Sequence, residues 1–214
     1  MNLPGRLGMA FMMKDESRKP DRRSIRLRGY DYSQPGAYVI TVCSESRECL
    51  FGEIRDGRIL LSAFGRIVGD EWHRTIQIRS NVALDAFSIM PNHIHGIIVL
   101  DDPPGHEISR DTMHRAPSPK FERFGKPTSN SIPTIIRGFK SSVTRRVNEL
   151  RGTPWSPVWQ RNYYEHVIRN EIDLEEIRQY IGNNPFKWLE DENHPANIEA
   201  PNRRGTMHRA PTSY

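Results

Sequence analysis

Short apolar runs and helical stripes alternate along this chain. Ala37-Tyr-Val-Ile-Thr-Val-Cys43 is rich in β-branched and aromatic residues and predicts a strand. Phe51-Gly-Glu-Ile54 and Arg58-Ile-Leu-Leu61 flank Asp56-Gly57, a pair suited to a tight hairpin turn. The period then changes: Phe64, Ile67, Val68, Trp72 and Ile76 recur every three or four residues, the stripe of an amphipathic helix. Two further strands are predicted over Ala83–Ile89 and His93–Leu100, joined by a turn at Met90-Pro91-Asn92. Helical spacing returns after Pro133 with Ile136, Phe139, Val143, Val147 and Leu150. Tyr163–Ile168 predicts a last strand, and a helix from Glu171 to about Asn184 carries Leu174, Ile177 and Ile181.

Set in order, these elements predict an α+β fold: a ferredoxin-like βαββαβ sandwich with helices on one face of an antiparallel sheet, followed by an extra C-terminal helix. Three stretches lack such periodicity. Residues 1–29 are read as a basic flexible arm, 101–131 as a proline-punctuated surface insertion in the domain 30–188, and 189–214 as a loose tail. Thr112-Met-His-Arg-Ala-Pro117 recurs as Thr206-Met-His-Arg-Ala-Pro211, once in the insertion and once in the tail.

Charge changes this picture at two places. The arm holds eight Lys/Arg against three Asp/Glu, so its 8 − 3 = +5 equals the formal charge of the whole chain. The predicted helix over 134–151 carries Arg137, Lys140, Arg145, Arg146 and Arg151 against Glu149, or 5 − 1 = +4. Both are candidate phosphate-binding surfaces. The candidates are Arg22, Arg23, Arg26 and Arg28 in the arm, and Arg137, Lys140, Arg145 and Arg146 on the helix. Two cysteines, Cys43 and Cys49, are too few for a disulfide framework and are read as reduced thiols in a cytoplasmic protein. No apolar run approaches the ~18 residues of a membrane span.

The sharpest local signal is Met90-Pro-Asn-His-Ile-His-Gly96. Side chains alternate along a strand, so His93 and His95 project on one face, close enough to share a divalent cation. Together with Trp159-Gln-Arg-Asn-Tyr-Tyr-Glu-His-Val-Ile168 and Ile177-Arg-Gln-Tyr-Ile-Gly-Asn-Asn-Pro185, this run resembles the REP-associated tyrosine transposases. These are a branch of the HUH single-tyrosine transposases, and the resemblance spans roughly residues 24–188.

The resemblance implies the same ferredoxin-like core, with a nucleophilic tyrosine on the helix after the last strand and an amide four positions later in the metal site. That register selects Tyr180 as nucleophile and His93, His95 and Asn184 as ligands for Mg²⁺ or Mn²⁺, with Asn183 the alternative if the register slips by one. Four residues advance a helix by about 400°, so Tyr180 and Asn184 share one face. Tyr163 and Tyr164 are rival nucleophiles by type but lie in a strand-like segment, and His166 is an accessory candidate. The implied activity is metal-dependent cleavage and rejoining of single-stranded or hairpin DNA through a 5′-phosphotyrosine, by a monomer or homodimer. Two other readings stand beside it: a non-catalytic, sequence-specific DNA-binding protein and a metal-dependent hydrolase. The second is weakened by a chain short for a (β/α)₈ barrel.

Overall fold

A computed structural model describes residues 30–101 and 128–198. Its elements are β1 (Gly36–Cys43), β2 (Gly52–Arg55), β3 (Arg58–Leu61), α1 (Ala63–Gln77), β4 (Val82–Ile89), β5 (His93–Leu100), α2 (Ile132–Arg151), β6 (Tyr164–Ile168) and α3 (Glu171–Asn183). The short 3-10 segment Asn184–Glu190 continues from α3. The arm, with Arg22, Arg23, Arg26 and Arg28, lies outside the described residues, as do both copies of the Thr-Met-His-Arg-Ala-Pro repeat.

The class is α+β, with one antiparallel four-stranded sheet in the order β4-β5-β1-β6 and a separate β2–β3 hairpin. β5 lies between β1 and β4 and is antiparallel to both. β1 and β4 therefore run in the same direction, connected through α1, which is a split βαβ arrangement.

Strand parity divides the sheet into two faces. Tyr38, Ile40 and Val42 of β1 and Ile94, Ile98 and Leu100 of β5 share the larger core with Val68 and Trp72 of α1 and with Ile136, Phe139 and Val143 of α2. Gly96 is required there, because a Cβ would run into the Trp72 indole, which stacks on Phe87 at 4.7 Å. On the opposite face Val39 and Ile97 meet Tyr164 and Ile168 of β6 and Ile177 and Ile181 of α3. His93 and His95 share the parity of Ile97, so they project toward α3.

Local chemistry explains the ends of the helices. The Ser62 hydroxyl accepts from Gly65 N and starts α1. Pro133 stands in the first turn of α2, where a missing N–H costs nothing, and Gly152 ends that helix at φ 66°. Asn170 caps α3 by accepting from Asp173 N.

The expectation of a loose tail from residue 189 fails over its first part. Asp191 and Asn193 are buried, and Asn193 O accepts from the Asn92 amide beside β5 at 2.7 Å. The polar composition of this segment serves internal hydrogen bonds rather than solvent.

Candidate active site

β5 begins with His93, and both histidines of the pair are buried, His93 completely and His95 to 4% exposure. Their Nε2 atoms face each other at 3.0 Å. The first ring is oriented by its neighbour in sequence. The Asn92 amide nitrogen donates to Arg47 O at 3.1 Å and to Asn193 O at 2.7 Å, which turns its Oδ1 toward His93 Nδ1 at 2.9 Å. Nδ1 must then carry the proton, and Nε2 presents a lone pair to the site. His95 Nδ1 meets the Thr41 hydroxyl at 2.8 Å, across the register pair of β1 and β5. Burial holds both rings neutral: His93 titrates well below the usual imidazole range, helped by its neighbour His95, and His95 is pushed down to about 4. Neutral imidazole is the metal-binding form.

A third donor comes from the segment after α3. Asp191 Oδ2 lies 3.7 Å from His93 Nε2, and one ligand atom from each of His93, His95 and Asp191 falls within 4.8 Å of the others. Asn193 N donates to Asp191 Oδ1 at 2.6 Å and fixes the carboxylate. Burial, first among several causes, raises the pKa of Asp191. Two imidazoles and a carboxylate converging in a buried space are a donor set that a divalent cation fits.

Tyr180, on the inner side of α3, lies edge-on to His95 with ring centroids 5.3 Å apart. Burial pushes its phenol up to about 12 and the Asp191 carboxylate adds to this, while the nearby Asn184 amide acts the other way. Asn184 caps α3 and is 3% exposed, and its Nδ2 has no hydrogen-bond partner among the described residues. Its nitrogen is the donor that would support a Tyr180 phenolate, and its carbonyl oxygen is the atom suited to a cation.

Of the rival tyrosines, Tyr164 lies on the same sheet face as the histidines, opposite Thr41, which is itself opposite His95. Tyr164 packs with Val39 and Ile97, and Tyr163 donates to Glu165 Oε2 at 2.6 Å. His166 is opposite Val39 in the β1–β6 ladder.

The basic residues of α2 separate into two groups. Arg137 is exposed. Arg145 is exposed and 3.6 Å from Glu149. Arg146 is held by Asp70 and Glu71, each at 3.0 Å. Lys140 Nζ donates to Gln160 O at 2.6 Å and Arg161 O at 3.1 Å, and burial lowers it to about 8. Lys140 thus secures the loop after α2. Sequence reasoning missed Asp191 and Asn193, because the polar run Glu190-Asp-Glu-Asn-His194 has no period that would assign it to the site.

The fold is similar to that of a REP-associated tyrosine transposase bound to a REP hairpin, with a TM-score of 0.50 and 20% identity over 76% of this chain and 73% of that one. The chain belongs to the same family as an uncharacterized protein of Haemophilus influenzae, with which it is 40% identical over 174 residues, 80% of this chain and 92% of the relative. No protein-family model matches the chain. Among the described residues, no helix is long and apolar enough to cross a membrane.

Proposed function

We propose that this chain is a single-tyrosine DNA transposase that cuts and rejoins single-stranded or hairpin DNA. The observation that carries the reading is the position of the Tyr180 ring, 5.3 Å from that of His95, whose Nε2 faces His93 across 3.0 Å. The transposase fold and the hairpin named for its structural neighbour support the same substrate class.

In this mechanism the Tyr180 oxygen attacks a backbone phosphorus. The new O–P bond is a 5′-phosphotyrosine, the bond to the neighbouring 3′ oxygen breaks, and a DNA 3′-OH leaves. No water is consumed, and the link is reversed when a second 3′-OH attacks it. His93 and His95, with Asp191 and Asn184 as oxygen donors, would hold Mn²⁺ or Mg²⁺, which when bound neutralises charge developing at the scissile phosphate. A set with two imidazoles favours Mn²⁺ over Mg²⁺. Asn92 and Thr41 orient the rings, and Arg137 and Arg145 face solvent where backbone phosphates could pass. We place the protein in the cytoplasm, as a monomer or homodimer.

Labelled hairpin DNA incubated with protein and Mn²⁺, then run on a denaturing gel, tests this. Wild type should give a protein-linked band that EDTA abolishes, and Tyr180→Phe should bind DNA without forming it. A band that persists in Tyr180→Phe moves the nucleophile to another tyrosine. A non-catalytic DNA-binding role has one observation in its favour, the burial that holds the Tyr180 phenol at about 12. Hairpin binding with no adduct under any divalent metal would establish it.

A further inference from the structure

Trp155 is 96% exposed, the most exposed of the large apolar side chains among the described residues. It is also held in a left-handed backbone conformation, φ 70°, which a bulky residue rarely adopts. Neither feature comes from slack in the chain. Pro154 and Pro157 flank it and restrict both their own φ and the residues before them. Thr153 N donates to Asn148 O at 3.2 Å, the Asn148 amide to Ser156 O at 3.0 Å and Arg151 Nη2 to Pro157 O at 3.3 Å. Lys140 secures the far end of the loop at Gln160 and Arg161. A tethered loop therefore presents an indole to solvent, where its apolar surface gains nothing from burial.

Beside this indole lies a cavity of about 870 Å³ between the C-terminal half of α2 and residues 152–161. Lys140, Arg145 and Arg161 line it against one acid, Glu149, for 3 − 1 = +2. The loop that walls it is hydrogen-bonded at and just beyond the end of β1. Glu45 N donates to Val158 O at 2.8 Å, Gln160 N donates to Cys43 O at 3.0 Å, and Cys43 stands opposite His93 in the β1–β5 ladder.

We propose that this pocket binds an unpaired nucleotide of the DNA strand passing the Tyr180 site, with the base stacked on Trp155 and the adjoining phosphates against Arg145 and Arg161; this rests on the DNA-processing function proposed above. The occupant follows from the chemistry. An exposed indole on a rigid support is a stacking platform, and cations at its rim suit a polyanion. In a duplex the faces of the bases are covered by their neighbours, so a base must be unpaired to reach it. Stacking tolerates any base, so Trp155 supplies preference for single-stranded character rather than for sequence.

The full chain, wild type and Trp155→Ala, is titrated with a twelve-residue oligothymidylate and with a blunt-ended DNA duplex. The other three tryptophans are 8% exposed or less, so acrylamide-accessible indole fluorescence reports Trp155. Oligothymidylate should quench that fluorescence, and Trp155→Ala should weaken its binding about tenfold while leaving the duplex within twofold. Trp155→Phe, which keeps an aromatic face, should restore most of the affinity. Equal oligothymidylate affinity for wild type and Trp155→Ala overturns the proposal and leaves the transposase reading intact. If wild type binds neither DNA, the proposal is overturned, and the hairpin adduct assay decides the transposase reading separately. If Trp155→Ala converts a dimer to a monomer on gel filtration with no selective loss of single-strand binding, the pocket seats a second copy of the chain and the proposal is wrong.

Discussion

At the scale of single residues, Asn92 does more for the histidine pair than its place beside it suggests. Its two amide hydrogens are committed to Arg47 O and Asn193 O, so its carbonyl oxygen is left to set the His93 tautomer. Asn92→Ala removes the orientation of His93 and the tie to the segment carrying Asp191 together. Loss of such outer-sphere partners commonly reduces metal affinity about 10–100-fold. Calorimetric titration with Mn²⁺ should show a fall of that order, and unchanged affinity would mean that His93 is oriented without it. The same burial makes stability depend on pH. The unfolded His95 imidazole takes a proton near 6.5, the folded one only near 4. Between these values the unfolded state binds more protons, so folding stability is complete above about 6.5 and declines as pH falls toward 4. This one group accounts for on the order of 3 kcal/mol, and His93 acts in the same direction. Urea denaturation in EDTA at pH 7 and pH 4.5 should resolve the loss.

Among the elements, α3 brings the proposed nucleophile and is the most lightly anchored helix. Its buried apolar residues are Ile177 and Ile181, each contributing roughly 1.5–3 kcal/mol, whereas α2 buries Ile132, Ile135, Ile136, Phe139, Val143 and Val147. Arg178 compensates by gripping Asp85 of β4, with Nη2 2.7 Å from Oδ2, and this holds the Asp85 carboxyl below its usual range. Arg178→Ala should therefore slow adduct formation more than it lowers the melting temperature; a loss of stability with an unchanged rate would remove Arg178 from the positioning of Tyr180. Gly96→Ala should do the opposite, destabilising by about 1–3 kcal/mol through the Trp72 stack. Thermal denaturation distinguishes the two. The elements carrying His93, His95 and Tyr180 were legible in the sequence because strand parity and helical spacing are local rules. Asp191 was not, since what places it is a pair of hydrogen bonds, one from Asn193 N and one joining Asn193 to Asn92, about a hundred residues away in the chain. Lys140 and Arg146 read as open cations for the same reason: their partners lie 20 to 76 residues distant.

For the molecule as a whole, that pairing redistributes the positive charge available to DNA. Two of the four proposed cations on α2 are committed, Lys140 to backbone carbonyls and Arg146 to Asp70 and Glu71. The largest formal excess in the sequence is then the +5 of residues 1–29. Removing residues 1–23 deletes Arg6, Lys14, Arg18, Lys19, Arg22 and Arg23 together with Asp15, Glu16 and Asp21. Each phosphate of single-stranded DNA that the protein no longer neutralises lowers the slope of log affinity against log salt by about 0.7. If half of the six deleted cations meet phosphates, the slope should fall by about 2, measured by anisotropy between 50 and 200 mM salt. Trp155→Ala should weaken single-strand binding with the slope nearly unchanged, because stacking displaces no counterions. The truncation and the substitution therefore separate along different axes, one in salt dependence and the other in strandedness. A truncated chain with the wild-type slope would assign phosphate binding to the folded domain, and Arg137, Arg145 and Arg161 would become the residues to change next.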